Sequence, residues 1–494
     1  MTERRATAHG GPSASPTWTE RQRTFAAGRG TPSVPDPNEG TVVVLPSATF
    51  AVSELRKITG IQYYEERLLC TTLRLADAGV RMVYLTSLPV DEAIVDYYLR
   101  FQPDPADARR RLALVALDDP SPLPLAEKLR HRHDVVARVR DLVGGAGPAH
   151  VLPFNVTPAE FSVAEALGLP ILGPHPDLVP LGSKTGSRRV ARRAGVAVLD
   201  GSEDLYSVEA VAEAVHRLRA VRPGAEAVVI KLNDGFSGQG NALVDLSGLA
   251  SPLPDSPTTF CAPGESWPAF AAKIASGGAV VEELICADGL VSPSVQVRIA
   301  PGGAIEVIST HDQVLGGPSN QVYLGCRFPA DPRYRLEIQE AARKVGAVLA
   351  GEGVIGSFGI DFLVVPGAAG RPDVVLSEIN LRMGGTSHPY WMARLLTGSA
   401  YDAGTGELRA GVRPTTYVAT DNLKSAHLVG RTPADVISAV DRAGLAYDPA
   451  TGAGVTLHLL GAVQEFGKMG ATCIAPDLDE ADRLAADLTT LLTA

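Results

Sequence analysis

Two neighbouring apolar segments carry oxygen-bearing side chains at spacings that suit a hard metal ion. Asp361 alternates with apolar residues in the segment 356–365, and Glu378 lies two positions before Asn380 at the end of the segment 374–380. Residues two apart on a strand share a face, and the Gly- and Pro-rich link between the segments predicts that the strands pair. The three side chains would then converge, and carboxylate and amide oxygens are the ligands that Mg²⁺ prefers. The alternative is the exposed polar face of an antiparallel ribbon.

A glycine-rich stretch follows the end of another apolar strand. Glycines allow backbone N–H groups to approach an anion closely, and a lysine adds a point charge for phosphate. The candidate phosphate-binding residues are Lys231, Gly235, Ser237, Gly238 and Gly240. The alternative is an ordinary hairpin whose glycines only satisfy the turn. The stretch matches neither G-x-x-x-x-G-K-S/T nor a strand-to-helix G-x-G-x-x-G, which excludes these two nucleotide motifs.

An arginine and a histidine follow the candidate metal ligands. Arg382 lies two residues after Asn380 and could neutralise the negative charge that builds up in phosphoryl transfer. The alternative is that Arg382 is a surface arginine. His388 directly precedes Pro389, and we favour a structural role for it in the core.

Consecutive carboxylates end the apolar strand near residue 280. Glu282, Glu283 and Leu284 could contact an adenine amino group and ribose hydroxyls, although a Glu-Glu pair is more often a solvated edge. The position of this pair along the chain, between the glycine-rich stretch and the carboxylate strands, makes it a candidate for nucleotide binding.

The order of these features resembles the ATP-grasp superfamily over residues 181–400. It consists of Lys184, Lys231 with its glycine-rich stretch, the Glu-Glu pair, the Asp361 strand and an E-x-N-x-R element at 378–382. The resemblance implies an ATP-grasp fold of two α+β subdomains. It also implies that Lys184 and Lys231 hold the ATP phosphates, that residues 234–241 form a lid over them, and that residues 282–284 read adenine, mainly through backbone groups.

The same resemblance assigns roles to the carboxylate strands. It implies that Asp361, Glu378 and Asn380 hold Mg²⁺, with Mn²⁺ as a substitute, and that Arg382 steadies an acyl-phosphate. In D-alanine ligase-like members an arginine stands two residues before the metal-binding aspartate, whereas this chain has Gly359 there. Another arginine would then orient the substrate carboxylate.

The candidates for that orienting arginine are Arg298 and Arg327. The amine that attacks an acyl-phosphate also has to lose a proton. His311 and Asp312 are the candidate bases, because an imidazole or a carboxylate can accept a proton.

Segments along most of the chain resemble one branch of the superfamily, the pheganomycin-type peptide ligases. The similarity runs from about residue 41 to 494, and the segments that carry it are 83–90, 152–158, 182–188, 311–318 and 458–468. It implies an ATP-dependent, ADP-forming carboxylate–amine ligase of natural-product biosynthesis. Such an enzyme joins a small carboxylate, amino-acid-like, to an amine or to a peptide amino terminus through an acyl-phosphate.

Three other interpretations use the same residues. The first is an ATP-grasp enzyme that carboxylates through carboxyphosphate, for which the sequence shows no biotin or bicarbonate partner. The second is a nucleotide-binding regulatory or sensor protein without ligase turnover. The third is a structural α/β protein in which the glycines and carboxylates are incidental. The complete set of metal-type residues favours the ligase.

The elements that would position these residues change in character along the chain. Between residues 41 and 180, strands alternate with helices, which predicts a doubly wound, mostly parallel α/β domain. Hairpins and longer helices follow in the ATP-grasp region, 181–400, and a small α+β domain is expected at 401–494. Residues 1–40 are rich in Gly, Pro, Ser and Thr and predict a disordered tail.

The carboxyl-terminal domain carries polar residues near its expected strands. They either border a substrate cleft or cap strands on the surface, and they are Asn422, Lys424, His427, Glu465 and Lys468.

Composition and charge narrow the choice of partners. The 494 residues are 45% hydrophobic and 20% charged, as in a packed globular protein. A net charge of −10 disfavours non-specific binding to nucleic acid or to an anionic membrane. No apolar run approaches the ~20 residues of a membrane-spanning helix, and no secretory signal is evident. Five scattered cysteines without a C-x-x-C pair predict a reducing cytoplasm, and homo-oligomer formation stays open.

Overall fold

The structure, a computed structural model, describes most of the chain. The described residues are 17–27, 40–145, 147–233, 240–246, 253, 257–262, 264–285, 287, 289–316, 322–365, 367 and 372–493. Within these ranges, no helix combines the length and the apolar character needed to cross a lipid bilayer.

The amino-terminal sheet is parallel and has the strand order β3-β2-β1-β4. Its strands are β1 (Gly40–Leu45), β2 (Val80–Thr86), β3 (Leu112–Ala116) and β4 (Ala149–Pro153). The connecting α-helices are α2 (Val52–Leu55), α3 (Glu92–Leu99), α4 (Pro105–Arg111), α5 (Leu125–Leu129), α6 (His133–Val143) and α7 (Pro158–Leu167). Two 3₁₀ segments, Ile61–Ala76 and Pro176–Gly182, complete the connections. β1 pairs in parallel with β2 and β4, which confirms the predicted parallel sheet. Residues 42–45 of β1 are apolar and buried, as expected for a strand covered on both faces.

Helix α1 (Trp18–Ala27) shows that the prediction of a disordered tail over 1–40 is wrong for the described part of that tail. The indole nitrogen of Trp18 donates a hydrogen bond to the Leu169 carbonyl (3.0 Å), and Phe25 is 6% exposed. Residues seven apart lie on one face of a helix, so both aromatic rings pack against the amino-terminal α/β region. Composition alone did not reveal this pair. The remaining residues of the predicted tail lie outside the described ranges, apart from the first residue of β1.

A five-stranded antiparallel sheet follows, in the order β5-β9-β6-β7-β8. Its strands are β5 (Gly201–Leu205), β6 (Ala227–Leu232), β7 (Asn241–Asp245), β8 (Thr258–Phe260) and β9 (Ala279–Glu283). The associated helices are α8 (Lys184–Arg193), α9 (Val208–Val221) and α10 (Trp267–Gly277). β6 and β7 pair with Lys231 opposite Asn241, which confirms the hairpin predicted around the glycine-rich stretch.

The third sheet has ten strands and extends to the carboxyl-terminal region. Its strands are β10 (Pro293–Ile299), β11 (Ile305–Gly316), β12 (Val322–Phe328), β13 (Gly356–Val365), β14 (Asp373–Asn380), β15 (Ala400–Asp402), β16 (Glu407–Ala410), β17 (Arg413–Lys424), β18 (Gly454–His458) and β19 (Lys468–Ala475). The main path is β14-β13-β10-β11-β12-β17-β16-β15, and β19 pairs with both β17 and β18. The accompanying helices are α11 (Arg335–Gly351), α12 (Ser387–Thr397), α13 (Pro433–Arg442), α14 (Val463–Phe466) and α15 (Leu478–Thr493).

The two carboxylate strands pair as predicted. β13 and β14 are antiparallel, with Asp361 opposite Glu378 and Gly359 opposite Asn380. A register shift follows Asp361 and separates this part of the ribbon from the rest. Only residues 367 and 372 of the predicted Gly- and Pro-rich link are within the described ranges.

One apolar cluster joins parts of the chain that the sequence assigned to different domains. It includes Tyr84 from β2, Phe328 from β12, Trp391 from α12 and Leu457 from β18. Separate clusters lie on the other side of the parallel sheet, beneath α11, and within the five-stranded sheet. The amino-terminal and carboxyl-terminal regions are therefore packed around common apolar side chains.

Candidate active site

A cavity of about 1190 Å³ is lined by residues of both antiparallel sheets and of the amino-terminal region. The candidate residues found in its wall are Lys184, Lys231, Glu283, Leu284, Asp361, Glu378, Asn380 and Arg382. Residues that are far apart in the sequence, and that come from separate motifs, thus face one space.

The oxygen-bearing side chains of the ribbon meet at the pairing of β13 with β14. The Asn380 amide nitrogen donates hydrogen bonds to Asp361 Oδ2 (3.0 Å) and Glu378 Oε1 (3.1 Å). Gln313 Nε2 donates to the other Asp361 oxygen (2.9 Å). Burial raises the pKa of Asp361, so a nearby cation would stabilise its charged form.

Whether Asp361, Glu378 and Asn380 can bind a metal together depends on the orientation of the Asn380 amide. An amide has nearly the same shape when its oxygen and nitrogen are exchanged, and the assignment follows the hydrogen-bond partners. Rotating the Asn380 amide would bring its oxygen to the place where the nitrogen now contacts Asp361 and Glu378. The same rotation ends the hydrogen bond that Arg382 now donates to Asn380 Oδ1, so Arg382 has to turn away when the metal binds. The set would then be three oxygen donors, which fits the preference of Mg²⁺.

Lys184 opens helix α8 and reaches the ribbon. Ser187 on the same helix accepts a hydrogen bond from the Ile379 backbone nitrogen (2.9 Å), which fixes the helix against β14. The Lys184 ammonium consequently contacts the Glu378 carboxylate. Burial and the neighbouring Lys231 lower the pKa of Lys184 to about 7, although Asp361 and Glu282 favour the charged ammonium.

Lys231 belongs to a chain of buried charges. Its ammonium lies 2.8 Å from Glu282 Oε2, and Arg188 lies 2.5 Å from Glu282 Oε1 and 2.9 Å from Glu203 Oε2. Burial raises the pKa of Glu282, but Lys231 and Arg188 outweigh this effect and lower it. The prediction that residues 282–284 read adenine, mainly through backbone groups, stays a prediction. The Glu282 side chain is 2% exposed and does not line the cavity. Its carboxylate instead orients Lys231.

The end of the cavity beyond Lys231 is largely apolar. Its wall includes Leu199, Val229 and Leu363, together with Glu283 and Leu284. The predicted adenine-binding segment thus reaches the cavity through its last two residues.

Only one glycine of the predicted lid lies in the described ranges. The Gly240 carbonyl accepts a hydrogen bond from the Leu232 backbone nitrogen (2.9 Å) and closes the hairpin. Gly235, Ser237 and Gly238 lie outside the described residues, as does most of the predicted lid.

Of the three candidate arginines, Arg382 lines the cavity. Its Nη2 donates to Asn380 Oδ1 (3.0 Å), and its guanidinium carbon lies 5.1 Å from the Phe50 ring centroid. Arg298 is 3% exposed and does not line the cavity. Arg327 forms a bidentate ion pair with Asp482 (2.6 and 2.7 Å). The structure therefore corrects the prediction that Arg298 or Arg327 orients the substrate.

The two candidate bases also differ in position. His311 is fully buried, its Nε2 lies 2.6 Å from the Tyr417 hydroxyl, and burial lowers its pKa to about 3. It does not line the cavity, so it is not positioned as a base. Asp312 does line the cavity, and its Oδ1 accepts a hydrogen bond from the Tyr334 hydroxyl (2.7 Å).

A basic part of the wall contains Lys468, which was a candidate from the sequence, and Arg67, which the sequence analysis missed. Arg67 stacks between the rings of Tyr64 and Phe154, at 4.7 and 4.8 Å from their centroids, and Lys468 donates to the Tyr64 hydroxyl (2.7 Å). Burial lowers the pKa of Lys468, and Asp421 opposes this shift. Tyr64 and Arg67 carry no motif, and an amphipathic segment was their only signal. Of the polar carboxyl-terminal candidates, Asn422 and Lys468 line the cavity.

Two protein-family models match parts of the chain. The model "IQCH-like, ATP-grasp" matches residues 261–396, and the model "PGM1 C-terminal domain" matches residues 435–488. The first covers the carboxylate ribbon, and the second lies in the carboxyl-terminal region.

Two named relatives match the chain over different lengths. The L-propargylglycine–L-glutamate ligase of Streptantibioticus cattleyicolor is 35% identical over 465 residues, which are 92% of this chain and 94% of that protein. The IQ motif-containing protein H of Danio rerio is 24% identical over 229 residues, which are 43% of this chain and 22% of that protein.

Solved structures share the fold at low sequence identity. The N5-carboxyaminoimidazole ribonucleotide synthetase of Thermus thermophilus has a TM-score of 0.51 at 15% identity, over 92% of this chain and 99% of that one. The biotin carboxylase of Campylobacter jejuni has a TM-score of 0.51 at 14% identity, over 89% and 88%. Together with the ligase that matches nearly the whole chain, these similarities show that the chain belongs to the ATP-grasp superfamily and, within it, to the pheganomycin-type peptide ligases, ATP-dependent enzymes that form carbon–nitrogen bonds.

Proposed function

We propose that this ligase joins the carboxylate of one amino acid to the amino group of a second amino acid or of a peptide. The observation that carries the proposal is the convergence of two lysines, one arginine and three oxygen-bearing side chains on a single cavity. The name of the ligase from Streptantibioticus cattleyicolor couples two amino acids, L-propargylglycine and L-glutamate, and supports this substrate class.

ATP would lie along the cavity from its apolar end to the ribbon. Adenine would contact Glu283 and Leu284 and the aliphatic wall, and the phosphates would bind Lys184 and Lys231. Ammonium groups bind phosphate oxygens as compact point charges, and burial strengthens this attraction because little water competes. We propose that residues 234–241 close over the phosphates and exclude water from the reactive intermediate.

Asp361, Glu378 and Asn380 would hold Mg²⁺, or Mn²⁺ in its place, once the Asn380 amide presents its oxygen. When bound, this ion supplies positive charge to the transferring phosphoryl group. Arg382 lies beside Asn380 and would neutralise charge on the same oxygens.

The reaction has two steps. A carboxylate oxygen of the first substrate attacks the γ-phosphorus, and the bond between this phosphorus and the β–γ bridging oxygen breaks. The products of this step are ADP and an acyl-phosphate. The amine of the second substrate then attacks the acyl carbon, inorganic phosphate departs, and one proton leaves the nitrogen. We propose Asp312 as the acceptor of that proton, because its carboxylate lines the cavity and burial raises its pKa.

The second substrate would lie towards the basic part of the wall. Arg67 and Lys468 are held there by Tyr64, and their charges suit the free carboxylate of an amino acid or a peptide.

We also propose that the chain is divided into domains at 41–180, 181–400 and 401–494. The cavity receives side chains from each of these three regions.

The test replaces the proposed metal ligands and measures ADP release with pooled amino acids and small peptides. Asp361→Asn and Glu378→Gln should reduce turnover by about 100-fold or more, because the phosphoryl charge loses its compensation. Glu213→Gln, on the exposed face of α9, serves as the control and should leave turnover unchanged.

Calorimetry of each variant separates lost chemistry from lost folding. Near-normal turnover in both variants would disprove the assignment of the ribbon. ATP binding by the native protein without ADP release, under all substrate combinations, would instead indicate the nucleotide-binding sensor. Mass spectrometry of the product then identifies the two amino acids that are joined.

A further inference from the structure

Two histidines and an aspartate meet outside the carboxylate ribbon. They are His388 on α12, Asp421 on β17 and His458 at the end of β18, and they are 3%, 6% and 5% exposed. His388 Nε2 lies 2.9 Å from Asp421 Oδ1, His458 Nε2 lies 2.8 Å from the same oxygen, and the two nitrogens are 3.1 Å apart. These side chains could together hold a metal ion.

Hydrogen bonding cannot satisfy all three of these contacts. A carboxylate oxygen only accepts, and each Nε2 either donates one proton or presents one lone pair. If both nitrogens carry protons, the two N–H groups face each other. If one nitrogen lacks its proton, its lone pair faces the Asp421 oxygen. With Asp421 ionised beside Arg67, each assignment leaves one repulsive contact among buried polar atoms, where such contacts are costly.

A single cation among the three atoms removes the conflict, because all three then contribute lone pairs to it. We propose that His388, Asp421 and His458 bind one divalent transition-metal ion of the zinc class. Imidazole nitrogen at roughly 2.0–2.1 Å and carboxylate oxygen at roughly 2.0–2.2 Å are the usual zinc ligands. Ligand atoms on a tetrahedron of that size stand about 3.3 Å apart, close to the separations found here.

The surrounding residues support a built site. Arg67 lies 3.5 Å from Asp421 Oδ2, which leaves Oδ1 to face the imidazoles. Carboxylates that bind metals usually have a polar partner on the outer oxygen, which orients them. Gly470 lies opposite His458 in the β18–β19 pair, and a Cβ at Gly470 would overlap the His458 imidazole. The absence of a side chain at Gly470 therefore leaves the space that the His458 ring occupies.

The site is chemically distinct from the carboxylate ribbon. It offers nitrogen donors, whereas Asp361, Glu378 and Asn380 offer oxygen, so the two sites would prefer different metals. Because Asp421 lines the cavity, metal could enter from there. Three protein ligands leave a fourth coordination position for water or for a substrate carboxylate.

The experiment uses the full chain, treated with a chelator and then titrated with Co²⁺ in excess Mg²⁺. Cobalt in a four-coordinate nitrogen and oxygen site absorbs visible light much more strongly than cobalt in a six-coordinate oxygen site. We expect the strong absorption to saturate at one equivalent and Zn²⁺ to abolish it. His388→Gln and His458→Gln should each lose this absorption, whereas Asp361→Asn should retain it.

His427→Gln is the matched control, since this histidine is exposed and outside the cluster, and it should bind Co²⁺ as the native chain does. Zn²⁺ should also raise the melting temperature of the native chain but not of His458→Gln, which gives a readout if His388→Gln fails to fold. The proposal is overturned if the native chain binds no stoichiometric Co²⁺ or Zn²⁺. It is equally overturned if the histidine variants bind as tightly as the native chain.

Discussion

Buried charges near the nucleotide end of the cavity are stabilised by one another. Arg188 is 1% exposed and contacts both Glu203 and Glu282, and Glu282 in turn contacts Lys231. Each charge has lost water and depends on its neighbours for compensation. Arg188 therefore acts at a distance from the cavity by fixing the carboxylate that orients Lys231.

Replacing Arg188 by Ala should lower the free energy of unfolding by about 3–5 kcal/mol, because Glu203 and Glu282 lose a buried partner. Chemical denaturation measures this change. Arg189→Ala is the control in the adjacent position, since Arg189 is 60% exposed and pairs with Asp204 on the surface. That variant should lose less than about 1 kcal/mol. Equal losses in the two variants would show that the buried network contributes little.

Among the elements, the 3₁₀ segment Ile61–Ala76 connects the amino-terminal sheet to the carboxyl-terminal region. Its Glu66 side chain is buried and accepts a hydrogen bond from the Gly461 backbone nitrogen (2.9 Å). Burial raises the pKa of Glu66 from 4.5 to about 8, and the nearby Glu65 adds to the shift. The folded protein therefore favours the protonated carboxyl at neutral pH.

This raised pKa makes stability depend on pH. Below pH 4.5 the carboxyl is protonated in both states, and as pH rises towards about 8 only the unfolded state ionises readily. Stability should fall across that interval, by at most about 1.4 kcal/mol per pH unit. Glu66→Gln keeps an acceptor for Gly461 and removes the titration, so its melting temperature should exceed that of the native chain at pH 8. A pH profile identical to that of the native chain would contradict the assignment.

Sequence patterns predicted which faces of the strands carry the site. They did not predict the distance along a strand between a given residue and the site. The alternation of polar and apolar residues predicted the strand face on which Asp361 and Glu378 lie, because side-chain direction is a local property of a strand. In the structure the two residues are opposite each other in the β13–β14 pair. Arg298 has the same parity as Ser294, which lines the cavity, yet it lies four residues further along β10, or about 13 Å. Helix α1 was missed because two aromatic contacts outweigh a composition that is typical of disorder.

For the whole molecule, the walls of the cavity could not be predicted because they come from distant parts of the chain. Lys468 contacts Tyr64 across 404 positions, and Gly461 contacts Glu66 across 395. The order of motifs predicted the ATP-grasp part of the site, whose residues follow a recognisable spacing. In the basic wall, Lys468 was a candidate from the sequence, but its contact with Tyr64 and the presence of Arg67 depend on tertiary packing that no local pattern reports.

The shared core also predicts how the carboxyl-terminal region behaves alone. β17 pairs with β12, and Leu457 and Tyr417 belong to the same apolar cluster as Tyr84 and Phe328. A fragment of residues 401–494 would expose this surface and an unpaired strand edge. We expect it to be unfolded or aggregated, as judged by circular dichroism and amide proton dispersion in NMR. A well-dispersed spectrum would show that the region folds independently.

The contact between Lys184 and Glu378 links two binding events. When Lys184 turns to a phosphate, it releases a carboxylate oxygen, and that oxygen becomes available to a divalent cation. Conversely, a cation on Glu378 displaces the ammonium towards the phosphates. Triphosphate and cation should therefore bind with positive cooperativity, and thermodynamic linkage requires each to strengthen the other by the same factor.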